Sequence, residues 1–381
     1  MTASASWRSP VTEAALRPDG AHALLDANGG RWPVLDGIAY LRTGRDDLVR
    51  ESLARLDAGD REGALALLLA DQDDWWDGPV PDEAALRALV RDRDRITLRE
   101  AMAHLAYGRV GDYFAHHWSD PTYLAGLALL EAHWPAPATA FELACGIGHY
   151  LRDLSLRGVA VTGGDVVFSK LWLARHWVAP EARLVCFDAA EPWPLGEAPF
   201  DLVLCQDAFY FLEPKPAVLG RLRGLTAPGG VLAVGHIHNR EAANYSAGRA
   251  VTADDVAALF PRALAYDDDE LTRALVEARA PRPAPPDALR HVEAFAVVEG
   301  AGGPRAVVNG LALPPEGRPL RLNPLYAGDG PAAIRWPSER YEREYAPRAT
   351  YPATSAQPRT GAHPDPAAAR RRELVDLPER W

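Results

Sequence analysis

Lysine, cysteine and long apolar runs are all scarce in this sequence. Of its 41 basic residues only Lys170 and Lys215 are lysine, and 52 acidic residues give a net charge of −11. Because no basic stripe interrupts this negative charge, unaided binding to nucleic acid is disfavoured. Apolar runs such as residues 63–70 are far shorter than the roughly 18 residues that a membrane span needs. The N-terminus MTASASWRSP lacks the apolar core of a secretion signal, so we expect a soluble cytoplasmic protein.

The three cysteines have neither CxxC nor metal-ligand spacing. Cys145, Cys186 and Cys205 each lie in or beside an apolar run that predicts a strand of one sheet. We therefore expect buried, reduced thiols. The length of 381 residues allows two or three domains, and 48% hydrophobic residues are enough for a sizeable core.

Residues 139–165 have the pattern of a nucleotide-binding βαβ unit. An apolar run at 140–144 contains Glu142, and the glycines Gly146 and Gly148 follow it. A helical segment at 149–157 leads to a second apolar run that ends at Asp165. Strand, glycine turn, helix, strand and acid in this order are typical of a site for a nucleotide.

Each part of this unit has a physical role toward such a ligand. The glycines allow a tight turn and a close approach where a Cβ would collide. The helix start presents free N–H groups and the positive end of its dipole. Asp165 follows Gly146 by 19 positions, at a strand tip where a carboxylate can accept hydrogen bonds from both ribose hydroxyls. Each such charge-assisted bond contributes about 1.5–3 kcal/mol.

Two details separate the unit from a dinucleotide site. The position of the third pyrophosphate-binding glycine is Leu151, and the acid Glu142 lies inside the first strand. The stretch ELACGIGHY, residues 142–150, resembles motif I of the class I S-adenosylmethionine (SAM)-dependent methyltransferases, with Ala144 in place of the first of three glycines. The resemblance implies that Glu142 fixes the turn or contacts the amino group of SAM through water, and that Asp165 binds the ribose. An NAD-type Rossmann domain is the alternative.

Further family features follow at normal spacing over about 100 residues. Asp188 ends a third predicted strand, where the family receives the adenine amino group. A fourth strand at 200–205 precedes Gln206, and the run TAPGG precedes a fifth strand at 231–235. The continuous apolar character of these strands is typical of parallel strands that are buried on both faces. The resemblance assigns the following residues to the cofactor site: Glu142, Ala144, Cys145, Gly146, Gly148, Asp165, Val166, Asp188, Ala189 and Gln206.

We predict an α/β fold with a Rossmann-like class I methyltransferase core: a mostly parallel seven-stranded sheet with one antiparallel edge strand. The core spans residues 131–300. A hairpin and helical region (1–72) and a helical lid or connector (73–130) precede it, and an appendage (301–350) and a poorly ordered tail (351–381) follow it. The tail is expected to be disordered because it is rich in Pro, Ala, Thr and Arg.

Two segments ahead of the core allow two interpretations each. Residues 32–41 resemble the end of the zinc-ribbon-descended domain of tRNA methyltransferase activators, although the ribbon cysteines are absent and no zinc is predicted. They also fit a β-hairpin with an Asp36-Gly37 turn. The aromatic residues Tyr113, Phe114, Trp118 and Tyr123 fit either a lid that excludes water or ordinary packing between helices.

Methyl transfer from SAM requires an aligned nucleophile, exclusion of water and, for a hydroxyl or ammonium acceptor, a base. The acceptor should lie beyond the carboxyl ends of the strands, near Asp207 and Tyr210 after the fourth strand and His236 and His238 after the fifth. The two histidines point to the same side of an extended chain. They could be catalytic, buried and structural, or half of a metal site. Because no cluster that supplies further ligands is evident, we predict no metal.

The sequence therefore predicts a SAM-dependent methyltransferase that acts on O or N of a small molecule. A SAM-binding scaffold without activity and an NAD-dependent oxidoreductase are the alternatives. The acceptor and the oligomeric state are not indicated. We expect Asp165 to face the glycine bend, and no side chain to fill the space above Gly146.

Overall fold

A computed structural model describes residues 7–196, 198–245, 248–308, 311, 313–315, 318–327, 332–358, 360–361 and 365–381. Parts of the predicted N-terminal region, appendage and tail, among them residues 1–6, lie outside the described residues. One large sheet organises the chain. Its eleven strands, in chain order, are β1 (Arg17–Asp19), β2 (Ala23–Leu25), β3 (Arg31–Leu35), β4 (Ile38–Tyr40), β5 (Thr139–Leu143), β6 (Ala160–Asp165), β7 (Arg183–Cys186), β8 (Phe200–Gln206), β9 (Thr226–His238), β10 (Leu264–Asp267) and β11 (Ala294–Glu299).

The strand order confirms the predicted Rossmann-like core. It runs β1-β2-β3-β4-β7-β6-β5-β8-β9-β11-β10, and β7-β6-β5-β8-β9 are parallel to one another. The antiparallel strand is β11, which lies between β9 and β10, so it is one position inside the predicted edge. The strand residues are buried on both faces, in agreement with the continuous apolar runs of the sequence.

Helices cover the two faces of the sheet and build the segments before and after the core. They are α1 (Asp46–Asp57), α2 (Arg61–Ala70), α3 (Glu83–Asp92), α4 (Leu98–His104), α5 (Arg109–His116), α6 (Pro121–Ala132), α7 (His149–Ser155), α8 (Phe168–Leu173), α9 (Lys215–Leu225), α10 (Ala253–Leu259), α11 (Asp268–Val276), α12 (Pro286–Leu289), α13 (Glu339–Tyr345) and α14 (Pro366–Arg370). A π-helical turn, Ala174–Val178, continues α8. Among the described helices, none combines the length and apolar character that crossing a bilayer requires.

The sheet has four more strands than predicted because the N-terminal hairpins continue it. β3 and β4 form the predicted hairpin, whose turn residues Asp36 and Gly37 have φ of +51° and +75°. β4 then pairs in parallel with β7 of the core. Asp36 ties the turn to the core, since its carboxylate accepts hydrogen bonds from Trp172 Nε1 (2.7 Å) and the ring of His176 (2.8 Å). The likeness of this segment to the tRNA methyltransferase activators stays a prediction.

The three cysteines are buried and unpaired, as predicted. Cys186 lies in β7 and Cys205 in β8, while Cys145 follows β5 directly. Burial raises the pKa of all three thiols, so they are protonated at neutral pH.

The predicted poorly ordered tail is wrong for residues 365–381. These residues form α14 and a short strand, Leu374–Val375, which pairs with a second short strand, Leu320–Leu322, of the appendage. The amino-acid composition of the segment did not predict this order, because the residues that hold the segment in place are far from it in sequence. Arg152 of α7 donates two hydrogen bonds to the carboxylate of Asp376, at 2.8 and 3.0 Å, and the pair is buried.

The last two residues also contact the helices before the core. Trp381 donates its indole N–H to the carbonyl of Ala115 at the end of α5 (2.8 Å). Arg380 donates to the carbonyls of Ile96 and His176, at 3.1 and 2.9 Å. The C-terminus therefore joins α5 to the core.

Asp376→Ala should destabilise the protein by about 3–5 kcal/mol, because it leaves the Arg152 guanidinium buried without its carboxylate. Urea unfolding measures the loss. The control is Glu379→Ala, three residues later on an exposed side chain, which should change the unfolding free energy by less than about 0.5 kcal/mol. Equal stability of the two variants would mean that the pair of Arg152 and Asp376 does not stabilise the fold.

Candidate active site

The carboxyl ends of the parallel strands border one cavity of about 590 Å³, a volume in the range of small-molecule sites. All predicted site residues except Gly148 line it. At one end lie the glycine bend after β5 and the tips of β6 and β7, and at the other lie the residues after β8 and β9. The predicted cofactor and acceptor residues therefore share a single cavity.

Asp165 faces the glycine bend, as expected. Its carboxylate accepts the backbone N–H of Gly146 (3.0 Å) and of Val167 (2.9 Å), which joins the bend to the tip of β6. The bend needs left-handed backbone at Ala144 (φ +54°) and Gly146 (φ +54°). Lys170 is a cavity residue that the sequence analysis missed, with its ammonium 3.9 Å from the Asp165 carboxylate.

Gly148, which the resemblance assigned to the cofactor, does not line the cavity. Its φ of +85° permits the start of α7, and a Cβ there would lie 3.3 Å from Ala174 and 3.4 Å from Ala179. The packing of Ala174 and Ala179 accounts for a glycine here, and the role of Gly148 as a cofactor contact stays a prediction.

The space above Gly146 is narrower than expected. Phe114 of α5 approaches the bend so closely that a Cβ at Gly146 would lie 3.2 Å from its ring. Tyr113 and Phe114 both line the cavity, in agreement with the lid interpretation. Trp118 and Tyr123 instead pack around His149, with ring centroids 4.2 and 6.1 Å from it. Part of the aromatic segment therefore lines the cavity and part of it packs between helices, and its role as a lid stays a prediction.

Two further segments, which were not predicted from the sequence, border the cavity. The loop after α2 contributes Asp73 and Trp75, and α13 of the appendage contributes Glu344 and Tyr345. Trp75 is half exposed and packs against Phe211 after β8, with ring centroids 5.4 Å apart. Trp75 was the one residue of this loop whose type could have indicated, from the sequence, that the loop borders a cavity. For α13 no local signal exists, because the chain returns to the cavity more than 100 residues after β9.

Glu142 provides a test of whether a cofactor fits. Its side chain is buried in the cavity wall, and Oε2 has no hydrogen-bond partner among the described residues. Burial, with a contribution from the nearby Asp165, raises the pKa of Glu142 well above its usual value. Such an unpaired buried group costs about 1–3 kcal/mol unless a ligand satisfies it. A polar ligand group next to the bend therefore fits the residues present.

Comparison with known proteins identifies this domain. Residues 141–234 match the family model described as a methyltransferase domain. They form a class I SAM-dependent methyltransferase domain. SAM is the cofactor of this family, so the bend, Asp165 and Glu142 are the residues that would hold it.

The relatives cover part of the chain. Trans-aconitate 2-methyltransferase of Delftia acidovorans is 32% identical over 131 residues, which are 34% of this chain and 46% of the relative. Malonyl-[acyl-carrier protein] O-methyltransferase of Pectobacterium atrosepticum is 32% identical over 107 residues, 28% of this chain and 41% of the relative. The SAM-bound amino pentose methyltransferase of Micromonospora echinaspora is 30% identical, covering 31% of this chain and 50% of that one, with a TM-score of 0.27. The chain spans about half the length of the curated relatives it matches.

The end of the cavity beyond β8 and β9 is a buried polar network. Asp207 accepts hydrogen bonds from the hydroxyls of Tyr113 (2.7 Å) and Tyr210 (2.8 Å). The Nε2 atom of His236 lies 3.8 Å from Asp207, and its Nδ1 atom is 2.6 Å from a carboxylate oxygen of Asp268. The ring of His238 lies 4.6 Å from that of His236, centroid to centroid. The four predicted catalytic residues thus form one cluster.

The structure adds two observations about this cluster. Asp268 was not among the predicted site residues, because it lies beside Asp269 and Glu270 in the first turn of α11, where acidic residues are common. The sequence also offered no third metal ligand for the His-x-His pair, whereas the fold brings Asp207 to it. Ligand atoms of Asp207, His236 and His238 all lie within 4.8 Å of one another.

The charges in the cluster follow from its geometry. Burial alone would raise the pKa of Asp207, but the nearby histidines and the Tyr113 hydroxyl outweigh it and lower that pKa. Burial alone would lower the pKa of His236, but Asp207 and Asp268 raise it to about 9. Burial, together with the adjacent His236, lowers the pKa of His238 to about 3. At neutral pH the protein therefore holds an ionised Asp207, a charged His236 and a neutral His238.

Asp165→Asn should weaken SAM binding by about 10- to 100-fold, because the amide lacks the charge that strengthens hydrogen bonds to the ribose. Calorimetry with SAM measures the affinity. The matched control is Asp201→Asn, whose carboxylate likewise accepts two backbone N–H groups, of Ala138 (2.8 Å) and Thr139 (3.0 Å), at the opposite end of the sheet. Similar SAM affinity in the two variants would remove Asp165 from the ribose role.

Proposed function

We propose that this chain is a SAM-dependent methyltransferase that acts on O or N of a small-molecule acceptor. One observation carries the proposal. The glycine bend and Asp165 of the methyltransferase domain open into the same cavity as Asp207, His236 and His238. A donor that is bound at the bend and an acceptor that is bound at the polar cluster would thus meet without crossing solvent.

The cofactor end has groups suited to each part of SAM. Asp165 at the tip of β6 would accept hydrogen bonds from the ribose hydroxyls. Asp188 after β7 would accept a hydrogen bond from the adenine amino group. Glu142 would offer the amino group a buried oxygen that has no hydrogen-bond partner in the described part of the chain. When bound, SAM supplies an electrophilic methyl group on a sulfonium that is already a good leaving group. The remaining requirement is alignment, which the protein must provide.

At the acceptor end the chain supplies hydrogen-bond acceptors and excludes water. The ionised Asp207 and the neutral His238 each offer a lone pair to an O–H or N–H group of the acceptor. Tyr113 and Phe114 of α5, with Tyr345 of α13, cover this end with aromatic surface. Apolar aromatic surface beside a buried polar cluster lowers the local dielectric constant and so strengthens the electrostatic interactions of the cluster.

The size of the cavity and the names of the relatives support a small acceptor. A volume of about 590 Å³ has to hold both the donor and the acceptor. One relative is a trans-aconitate methyltransferase and another is an O-methyltransferase of malonyl groups on a carrier protein. These names favour oxygen, while Asp207 would suit a protonated amine equally well. A cytoplasmic location and the lack of a nucleic acid partner stay predictions from the charge and composition.

Asp207→Asn should lower methyl transfer by about 100-fold or more, since it removes the negative charge that positions the acceptor and receives its proton. The assay incubates the protein with methyl-labelled SAM and fractionated metabolites of the host, and follows label in the small-molecule fraction. SAM affinity should change less than about 3-fold. Asp201→Asn, on the same strand at its other end, is the control and should keep full turnover.

Two results would contradict the proposal in different ways. SAM binding by calorimetry without label transfer to any fraction would favour a SAM-binding scaffold without activity. Binding of NAD in place of SAM would favour the oxidoreductase alternative. Equal turnover of Asp207→Asn and the unmodified protein would keep the activity but remove Asp207 from the acceptor site.

A further inference from the structure

We propose that Asp207, His236 and His238 form a binding site for a divalent transition-metal cation at the acceptor end of the cavity. One carboxylate comes from the end of β8, and two imidazoles come from the end of β9. Their ligand atoms lie within 4.8 Å of one another. Cation binding itself does not depend on methyl transfer, so it stands or falls separately from the proposed function.

The donor set suits a first-row divalent ion. Two imidazole nitrogens and one carboxylate oxygen are typical ligands of Zn²⁺, Fe²⁺ and Co²⁺, and a three-ligand set leaves coordination positions open. Ligand atoms at about 2.1 Å from Zn²⁺ are roughly 3.4 Å apart. Binding would therefore bring Asp207 and His236, now 3.8 Å apart, slightly closer together. All three residues line the cavity, so the open positions are available to a molecule within it.

A second layer of hydrogen bonds already orients two of the three ligands. A carboxylate oxygen of Asp268 lies 2.6 Å from Nδ1 of His236. The other ring nitrogen, Nε2, then faces Asp207 at 3.8 Å. The hydroxyls of Tyr113 and Tyr210 each donate a hydrogen bond to a different carboxylate oxygen of Asp207. In metal sites, ligating imidazoles are commonly bonded to a carboxylate on their other nitrogen, and ligating carboxylates are themselves hydrogen-bonded. The layer around this cluster has the same arrangement.

The third ligand is an unsatisfied group. The side chain of His238 is only 5% exposed, and its Nδ1 atom has no hydrogen-bond partner within the described part of the chain. A buried nitrogen without a partner costs about 1–3 kcal/mol. The second carboxylate oxygen of Asp268 is also buried and has no hydrogen-bond partner among the residues that the structure describes. A cation would satisfy His238 directly and would match the negative charge of Asp207 and Asp268.

A cation that binds Nε2 of His236 would leave the contact between Nδ1 and Asp268 in place. If the proposed function is correct, the ion would bind an acceptor oxygen and lower its pKa, which favours hydroxyl- or carboxylate-bearing acceptors over amines.

The test is a titration of the chelator-treated full chain with Co²⁺, followed by visible absorption, and with Zn²⁺, followed by calorimetry. We expect one equivalent to bind, with the intense visible bands of a Co²⁺ site of low coordination number. His238→Ala and Asp207→Asn should each weaken binding by at least about 30-fold. Asp268→Asn should weaken it by about 10- to 100-fold, as expected for a residue that orients a ligand.

The matched control is His117→Ala. His117 lines the same cavity and is also paired with a buried carboxylate, since its Nδ1 atom lies 2.7 Å from Asp120, but it is outside the cluster. The His117→Ala variant should have the same Co²⁺ affinity as the unmodified protein. Circular dichroism checks that each variant is folded. The absence of stoichiometric binding, or equal affinity in the His238 and His117 variants, would overturn the proposal. SAM affinity in the presence of chelator is measured in parallel, so a failure of the metal site is distinguished from a failure of the proposed function.

Discussion

The carboxylate of Asp165 ties together the two halves of the nucleotide-binding unit. It accepts a hydrogen bond from Gly146 in the bend after β5 and another from Val167 just beyond β6. The bend is thereby fixed relative to the neighbouring strand before any ligand arrives. Because β5 and β6 are parallel and adjacent, this link sets the edge at which the ends of β7, β8 and β9 also meet. The position of the acceptor cluster follows from the same sheet register.

Backbone strain at this edge supports a functional interpretation. Ala144, Asp207 and His236 are non-glycine residues with φ of +54°, +49° and +51°, and each lies at or just beyond the end of a parallel strand. Such conformations cost about 1–3 kcal/mol each and persist where the surrounding structure compensates for them. Here the compensation is visible for two of the three. Asp207 receives two tyrosine hydroxyls, and His236 is held by Asp268.

The sequence predicted the parts of this protein whose signals are local. Motif I and Asp188 lie beside the strands that they follow, the TAPGG run is the beginning of β9, and the seven core strands were found from their apolar runs. The contacts missed are long-range. Arg152 and Asp376 are 224 positions apart, so nothing near Asp376 indicated that the C-terminal segment would be buried. The same holds for Asp268, which reaches His236 from an inserted helix, and for β4, which pairs with a strand about 145 positions later.

A chain of long-range contacts connects the polar cluster of Asp207, His236 and His238 to the C-terminal segment. Tyr113 bonds to Asp207 from α5, and α5 in turn is held at Ala115 by the indole of Trp381. The C-terminus is fixed to the core by the buried pair of Arg152 and Asp376. A change that frees the C-terminal residues would therefore loosen the helix that supplies Tyr113, although it lies outside the cavity. The C-terminal segment then supports the polar cluster, because Trp381 holds the helix that supplies the hydroxyl bonded to Asp207.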